Sequence, residues 1–240
     1  MDSVLTIITN IKMAWFFLDI KLIKLPKIKD APEFENNFYF TCKNDRISKL
    51  LIQYELFLRT EKIPGEIIEC GVFKGISLIR FSIFRDLFQK KSKKIIGFDT
   101  FGKFPSAQFS KDVKIRKKFL EQSGNESISI KQLQHILKQK KISENVELVK
   151  GDITKTIPEY LIKHPKMKIS LLNLDVDLYE PSKVILENLY PRLSKGGVLI
   201  LDDYNVFPGE TKAVDEFFND KKIKIQQFKY RKTPAYVIKK

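Results

Sequence analysis

From Gly65 onward, short apolar runs alternate with longer amphipathic ones, and this alternation limits what the chain can fold into more than any other feature. The runs GEIIEC (65–70), KIIGF (94–98), NVELV (145–149), ISLLNLD (169–175) and GVLILDD (197–203) are short and rich in β-forming residues, as strands covered on both faces must be. The stretches between them predict helices over 77–89, 113–122, 130–140, 157–164, 182–193 and 211–219. Two further runs, KIKIQQF (222–228) and AYVIKK (235–240), predict a closing hairpin with its turn near Lys232 to Pro234. The order predicts an α/β protein with a Rossmann-like, doubly wound, mostly parallel seven-stranded sheet ending in an antiparallel C-terminal hairpin. No linker or repeat divides it. Residues 1–62 are expected to form an N-terminal helical cap or lid, and residues 63–240 the main domain.

A hydrophobic content of 43% with 19 Phe supplies a core and argues against disorder. Cys42 and Cys70 give neither a disulfide framework nor a zinc pattern, which suits a reducing, cytoplasmic setting. The opening MDSVLTIITNIKMAWFFLDI is apolar, but its start is acidic, and Asn10, Lys12 and Asp19 interrupt any span. It is expected to be an amphipathic cap or a contact in a homo-oligomer, with no transmembrane segment. The basic run 21–29 leaves a peripheral membrane role as the alternative. A net charge of +15, from 44 Lys and Arg against 29 Asp and Glu, invites a nucleic-acid reading. The bases are scattered, mostly lysine, and not interleaved with aromatics, so a solvated lysine-rich surface is the better account.

In a doubly wound sheet ligands bind where strands end. After the first strand comes ECGVFKGIS (69–77), in which Gly71 and Gly75 open the turn into a helix and let backbone N–H groups approach a ligand. The turn has neither the three glycines of a dinucleotide fingerprint nor the Gly-Lys-Ser/Thr of a P-loop, which speaks against hydride and phosphoryl transfer. Asp99 follows the second strand, placed either for ribose hydroxyls or as a turn residue. Asp152 follows the third, placed either for an adenine amino group or as a helix cap. Asp175 and Asp177 follow the fourth, and their spacing puts them on one face. Asp202 and Asp203 follow the fifth. Four carboxylates in one patch repel by several kcal/mol, and a hard divalent cation with oxygen ligands is the ordinary remedy. The only histidines, His135 and His164, fall on predicted helix surfaces, so zinc or a histidine triad is poorly supported.

Together, GEIIECGVFKGIS, IIGFDTFGKFP (95–105), VKGDITKTIP (149–158), LLNLDVDLYEPS (171–182) and GGVLILDDYNVFPGETKAVDEF (196–217) resemble the macrocin O-methyltransferase family of class I S-adenosylmethionine (SAM) enzymes. The likeness covers roughly residues 37–218. It implies SAM held by Glu69, Gly71, Val72, Phe73, Gly75 and Ser77, with Asp99 and Thr100 at the ribose, Asp152 and Ile153 at the adenine, and Asp175 also bordering the cofactor. It further implies Mg²⁺ bound by Asp175, Asp202 and Asp203, with Asp177 as general base. The substrate implied is a hydroxyl of a deoxysugar, nucleotide-linked or within a glycan. Where many members read Gly-Gly-Ser or Gly-Gly-Ala, this chain reads Gly75-Ile76-Ser77, a less permissive backbone. The competing readings are a catechol or phenol methyltransferase of the same fold and an RNA-binding or RNA-modifying protein. Two aromatic segments, 100–109 and 36–46, are expected to cover the site.

Overall fold

A computed structural model describes residues 24–220 and 223–240, so the expected cap over the first 20 residues lies outside the described residues. Two helices, α1 (Ala31–Thr41) and α2 (Asn44–Arg59), precede the sheet. Then come β1 (Glu66–Cys70), α3 (Ile76–Leu87), β2 (Ile95–Asp99), α4 (Ser110–Ser123), α5 (Ile130–Gln139) and β3 (Val146–Lys150). The second half holds α6 (Ile153–Lys163), β4 (Ile169–Leu174), α7 (Tyr179–Leu189), β5 (Leu193–Leu201), α8 (Pro208–Phe218), β6 (Gln226–Phe228) and β7 (Arg231–Ile238).

The seven strands lie in the order β3-β2-β1-β4-β5-β7-β6. The first five are mutually parallel, and β7 runs antiparallel to both β5 and β6. The expected doubly wound sheet with its C-terminal hairpin is therefore present. Strand order reverses between β1 and β4, which puts the ligand crevice beyond their carboxyl ends. Cys70 pairs with Leu174, and Leu174 with Leu201, so the residues just after these three positions are neighbours in space.

Side chains alternate between two cores, as a strand period of two requires. Ile68 joins the core that packs α6, α7 and α8 on one face. Ile67 joins the core that packs α2, α3 and α5 on the other. Glycine is obligatory at one join: Gly71 has φ +90°, and a Cβ there would stand 1.7 Å from the Asp175 carbonyl oxygen.

Several boundaries depart from the sequence pattern for local reasons. Helix α6 starts at Ile153, not 157, because Asp152 caps it, accepting the Thr154 N–H at 3.0 Å. Helices α7 and α8 begin at Tyr179 and Pro208, earlier than predicted, since proline is tolerated in a first turn. The predicted turn at Lys232 to Pro234 is corrected: Phe228 pairs with Arg231, the turn is Lys229 and Tyr230, and Pro234 lies inside β7. Pairing of β7 with β5 begins only at Ala235, so proline's missing N–H leaves no gap in that ladder. Among the described residues no helix is long and apolar enough to cross a membrane.

Candidate active site

The crevice predicted by the strand order is a cavity of about 1100 Å³, above the roughly 300–1,000 Å³ of an ordinary small-molecule pocket. Every expected site residue lines it except Glu69 and Gly75, which lie behind its wall. The aromatic segments also reach it, through Phe38 and Phe104.

Glu69 is wholly buried and accepts the Ser77 hydroxyl, while Asn173 lies 3.5 Å from the same oxygen. Burial pushes its carboxyl up to about 8, with Ser77 pulling the other way. The Glu69–Ser77 contact ties the end of β1 to the start of α3, and Gly75 takes φ +82° as the helix cap. Val72 is buried in the core, and Phe73 adopts φ +50° and donates its N–H to Asp99 at 3.0 Å. Asp99 also accepts the Phe101 N–H at 2.7 Å and the Thr100 hydroxyl at 3.3 Å. Its carboxylate thus stitches the two turns together. Four bonds at most fill a carboxylate, and three are used. Asp152 stands exposed at the rim beside Ile153, its oxygen taken by the Thr154 N–H and hydroxyl.

The acids beyond β4 and β5 converge. One oxygen from each of Asp175, Asp177 and Asp203 lies within 4.8 Å of the others. Burial, then the Asp202 charge, raises the Asp175 carboxyl well above the usual range. Burial and Asp177 do the same to Asp203. Asp177 sits at φ +64° and is pushed up to about 6, chiefly by burial, with Asp203 and Arg116 opposing the shift. Asp202 turns differently: one oxygen accepts the Lys49 ammonium at 2.5 Å, and the other is buried without a partner. The converging trio therefore includes Asp177, which the resemblance had assigned only as a base, whereas Asp202 stands outside it with one buried oxygen free.

Three residues of this site carry no signal in the sequence pattern. Lys49, on the inner face of α2, lies 3.6 Å from Asp175 as well as 2.5 Å from Asp202. Arg116, on α4, approaches Asp177 at 3.7 Å, and its guanidinium lies 5.2 Å from the Phe104 ring centre. Glu210, wholly buried on α8, accepts the Asp203 N–H at 3.0 Å. Lys49 falls in an ordinary amphipathic helix, Arg116 in a lysine-rich run, and Glu210 among helix residues, so nothing local distinguishes them. His135 and His164 are exposed and outside the cavity, as expected, with His164 stacked on Tyr160.

The donor set fits a hard cation. The oxygens are carboxylate, several are buried, and the Asp202 and Glu210 carboxylates each retain a buried oxygen with no partner. The glycine-opened turn, the acid Asp99 at the end of β2 and the adjoining space fit a nucleoside-bearing cofactor.

This topology, with the crevice at the β1/β4 switch and the antiparallel hairpin, is that of the class I methyltransferases. The structure is similar to the calicheamicin methyltransferase CalS11, with a TM-score of 0.73 and 27% identity, covering 87% of this chain and 85% of that one. It shares its fold with the O-methyltransferase NovP, with a TM-score of 0.71, 22% identity and 80% of each chain covered. The chain belongs to the macrocin-O-methyltransferase (TylF) family, whose model matches residues 29–237. Among its relatives is the 8-demethyl-8-(2,3-dimethoxy-alpha-L-rhamnosyl)-tetracenomycin-C 4'-O-methyltransferase of Streptomyces olivaceus, 28% identical over 60% of this chain and 54% of that protein. Another is the demethyldecarbamoylnovobiocin O-methyltransferase of Streptomyces niveus, 27% identical over 65% of this chain and 58% of that protein. The matched regions thus span little more than half the length of these two relatives.

Proposed function

We propose that this chain is a SAM-dependent O-methyltransferase that methylates a hydroxyl of a sugar, assisted by Mg²⁺. The observation that carries the reading is the junction, in one cavity, of a nucleoside-type turn with a cluster of acids at the ends of β4 and β5. The cavity is large enough for a cofactor and an acceptor together, and proteins named for methylation of a rhamnosyl tetracenomycin and of TDP-rhamnose support a sugar as acceptor. The residues Glu69 to Ser77 and Asp99 would receive the amino-acid and ribose parts of SAM, with Asp152 and Ile153 at the adenine end. Asp175, Asp202 and Asp203 would hold the cation.

When bound, SAM would supply a methyl on a sulfonium leaving group, and the cation would supply Lewis-acid polarisation of an acceptor oxygen. The chain's own part is to take the hydroxyl proton and to align the oxygen. Asp177 is the proposed proton acceptor, because it lines the cavity with Arg116 at 3.7 Å to fix its direction, while Asp202 gives one oxygen to Lys49 and keeps the other for the cation. A sugar hydroxyl is a very weak acid, so a carboxylate at hydrogen-bond reach lowers the barrier only if it stays fixed in direction. Helices α1 and α2 would act as the cap, since Phe38 and Lys49 both line the cavity from that side. Calorimetric titration with SAM tests the reading first: no binding at millimolar cofactor would sink it. A screen of glycoside and sugar-nucleotide acceptors against catechols then separates a sugar enzyme from a phenol enzyme.

A further inference from the structure

Helix α4 (Ser110–Ser123) stands over the acids, and toward its C-terminal end the part-buried Phe119 ring packs against Phe73, Phe104 and Phe207. Its only fully buried residues are Asp112 and Arg116, both charged. In its first half the inward positions are therefore charged, and buried charges must be matched for that half to dock. Arg116 contacts Asp177 at 3.7 Å. What, then, holds Arg116?

Asp112 answers this. It is 0% exposed, and one oxygen accepts the Gly209 N–H at 2.7 Å. Gly209 is the second residue of α8, and the carboxylate also faces the N–H of Tyr179, the first residue of α7. A carboxylate at the start of two helices meets unsatisfied N–H groups and the positive ends of two dipoles. The place is cut to fit: a Cβ on Gly209 would stand 2.0 Å from the Asp112 carboxylate and 2.6 Å from the Tyr179 nitrogen. Helices α7 and α8 follow the two strands that deliver Asp175, Asp177, Asp202 and Asp203. One helical turn beyond Asp112, at i+4 and so on the same face, is Arg116.

We propose that Asp112 is a positioning residue, which docks α4 across the N-terminal ends of α7 and α8 and so fixes Arg116 against Asp177. Asp112 touches neither cavity nor substrate and acts through Arg116, setting the acceptor wall that Phe104 and Arg116 form. Its role in turnover rests on the methyl-transfer reading; its docking role does not.

The test uses the full chain with Asp112→Ala, Asp112→Asn and Arg116→Ala. Hydrogen exchange of peptides covering Ser110–Ser123 is expected to accelerate at least tenfold in Asp112→Ala while β1 and β4 keep their protection. The Arg116 Nε–Hε resonance, assigned as the peak lost in Arg116→Ala, is expected to stand apart from the solvent-exposed arginines and to collapse into them in Asp112→Ala. Asp112→Asn keeps an acceptor oxygen for Gly209 but loses the charge and the second acceptor, so its exchange should accelerate less than in Asp112→Ala and its Arg116 resonance should stay apart from the exposed arginines. An unmoved Arg116 resonance in Asp112→Ala, or exchange that accelerates equally through the sheet, would overturn the proposal. SAM affinity by calorimetry should stay within threefold in Asp112→Ala. A parent chain that fails to bind SAM overturns the methyl-transfer reading, while the exchange and resonance data still decide Asp112.

Discussion

The Lys49 ammonium lies 2.5 Å from one oxygen of Asp202 and 3.6 Å from Asp175, which makes a residue of helix α2 the counter-charge of the acid cluster. The Asp202 side chain is 7% exposed and that of Lys49 25%, so the pair is only partly screened. Removing one partner of a buried pair costs about 3–5 kcal/mol, because the other charge is stranded; with Lys49 a quarter exposed, about 2–3 is expected. Lys49→Met should therefore lower Tm by several degrees without divalent ions, and millimolar Mg²⁺ should recover more of that loss than it adds to the parent protein. Scanning fluorimetry with and without Mg²⁺ reads both; equal Mg²⁺ effects in the two proteins would refute the shared role.

Asp177→Asn should cost at least about 10²-fold in turnover, the usual worth of a positioned acid or base, and leave SAM affinity unchanged. Asp202→Asn should instead weaken Mg²⁺ affinity, since it removes charge beside the free oxygen. If both variants keep parental rates with EDTA present, the proposed division between proton acceptor and ion holder fails.

Stability should depend on pH in a direction fixed by the raised carboxyls. Glu69 rises to about 8 and Asp175 and Asp203 rise well above the usual range through burial. A group whose folded pKa exceeds its unfolded value binds more protons in the native state between the two, so stability falls as pH rises through that window. For Glu69 the window runs from 4.5 to about 8. In chelator the Tm should fall across it; each 1 kcal/mol lost lowers Tm by about 2–4 °C in a chain of this size. Excess Mg²⁺ should flatten the slope. A Tm that rises with pH in chelator would contradict the account.

Gly71→Ala should be among the most destabilising single changes. The site has φ +90° and a Cβ would stand 1.7 Å from the Asp175 carbonyl oxygen, so strain and displacement of the β4 end act together. A loss of about 3 kcal/mol or more is expected, seen as a lower denaturant midpoint at constant m-value. Parental stability would mean that the β1–β4 join is looser than described.

The sequence by itself determined the sheet and the places where function gathers. Apolar runs of strand length, separated by amphipathic helices, have one economical packing, and the carboxyl ends of the strands carry Asp99, Asp152, Asp175 and Asp202 because these signals are local. The sequence erred where a local signal has two meanings: Pro234 reads as a turn, and only the start of β7 pairing at Ala235 shows that its missing N–H is harmless. Contacts between distant residues were decided by the tertiary structure alone. Lys49 reaches Asp202 across 153 positions and Asp112 reaches Gly209 across 97. No periodicity marks such pairs, since Lys49 and Asp112 each read as an ordinary charge on a helix until the sheet brings the partner alongside and excludes the water that would otherwise solvate them.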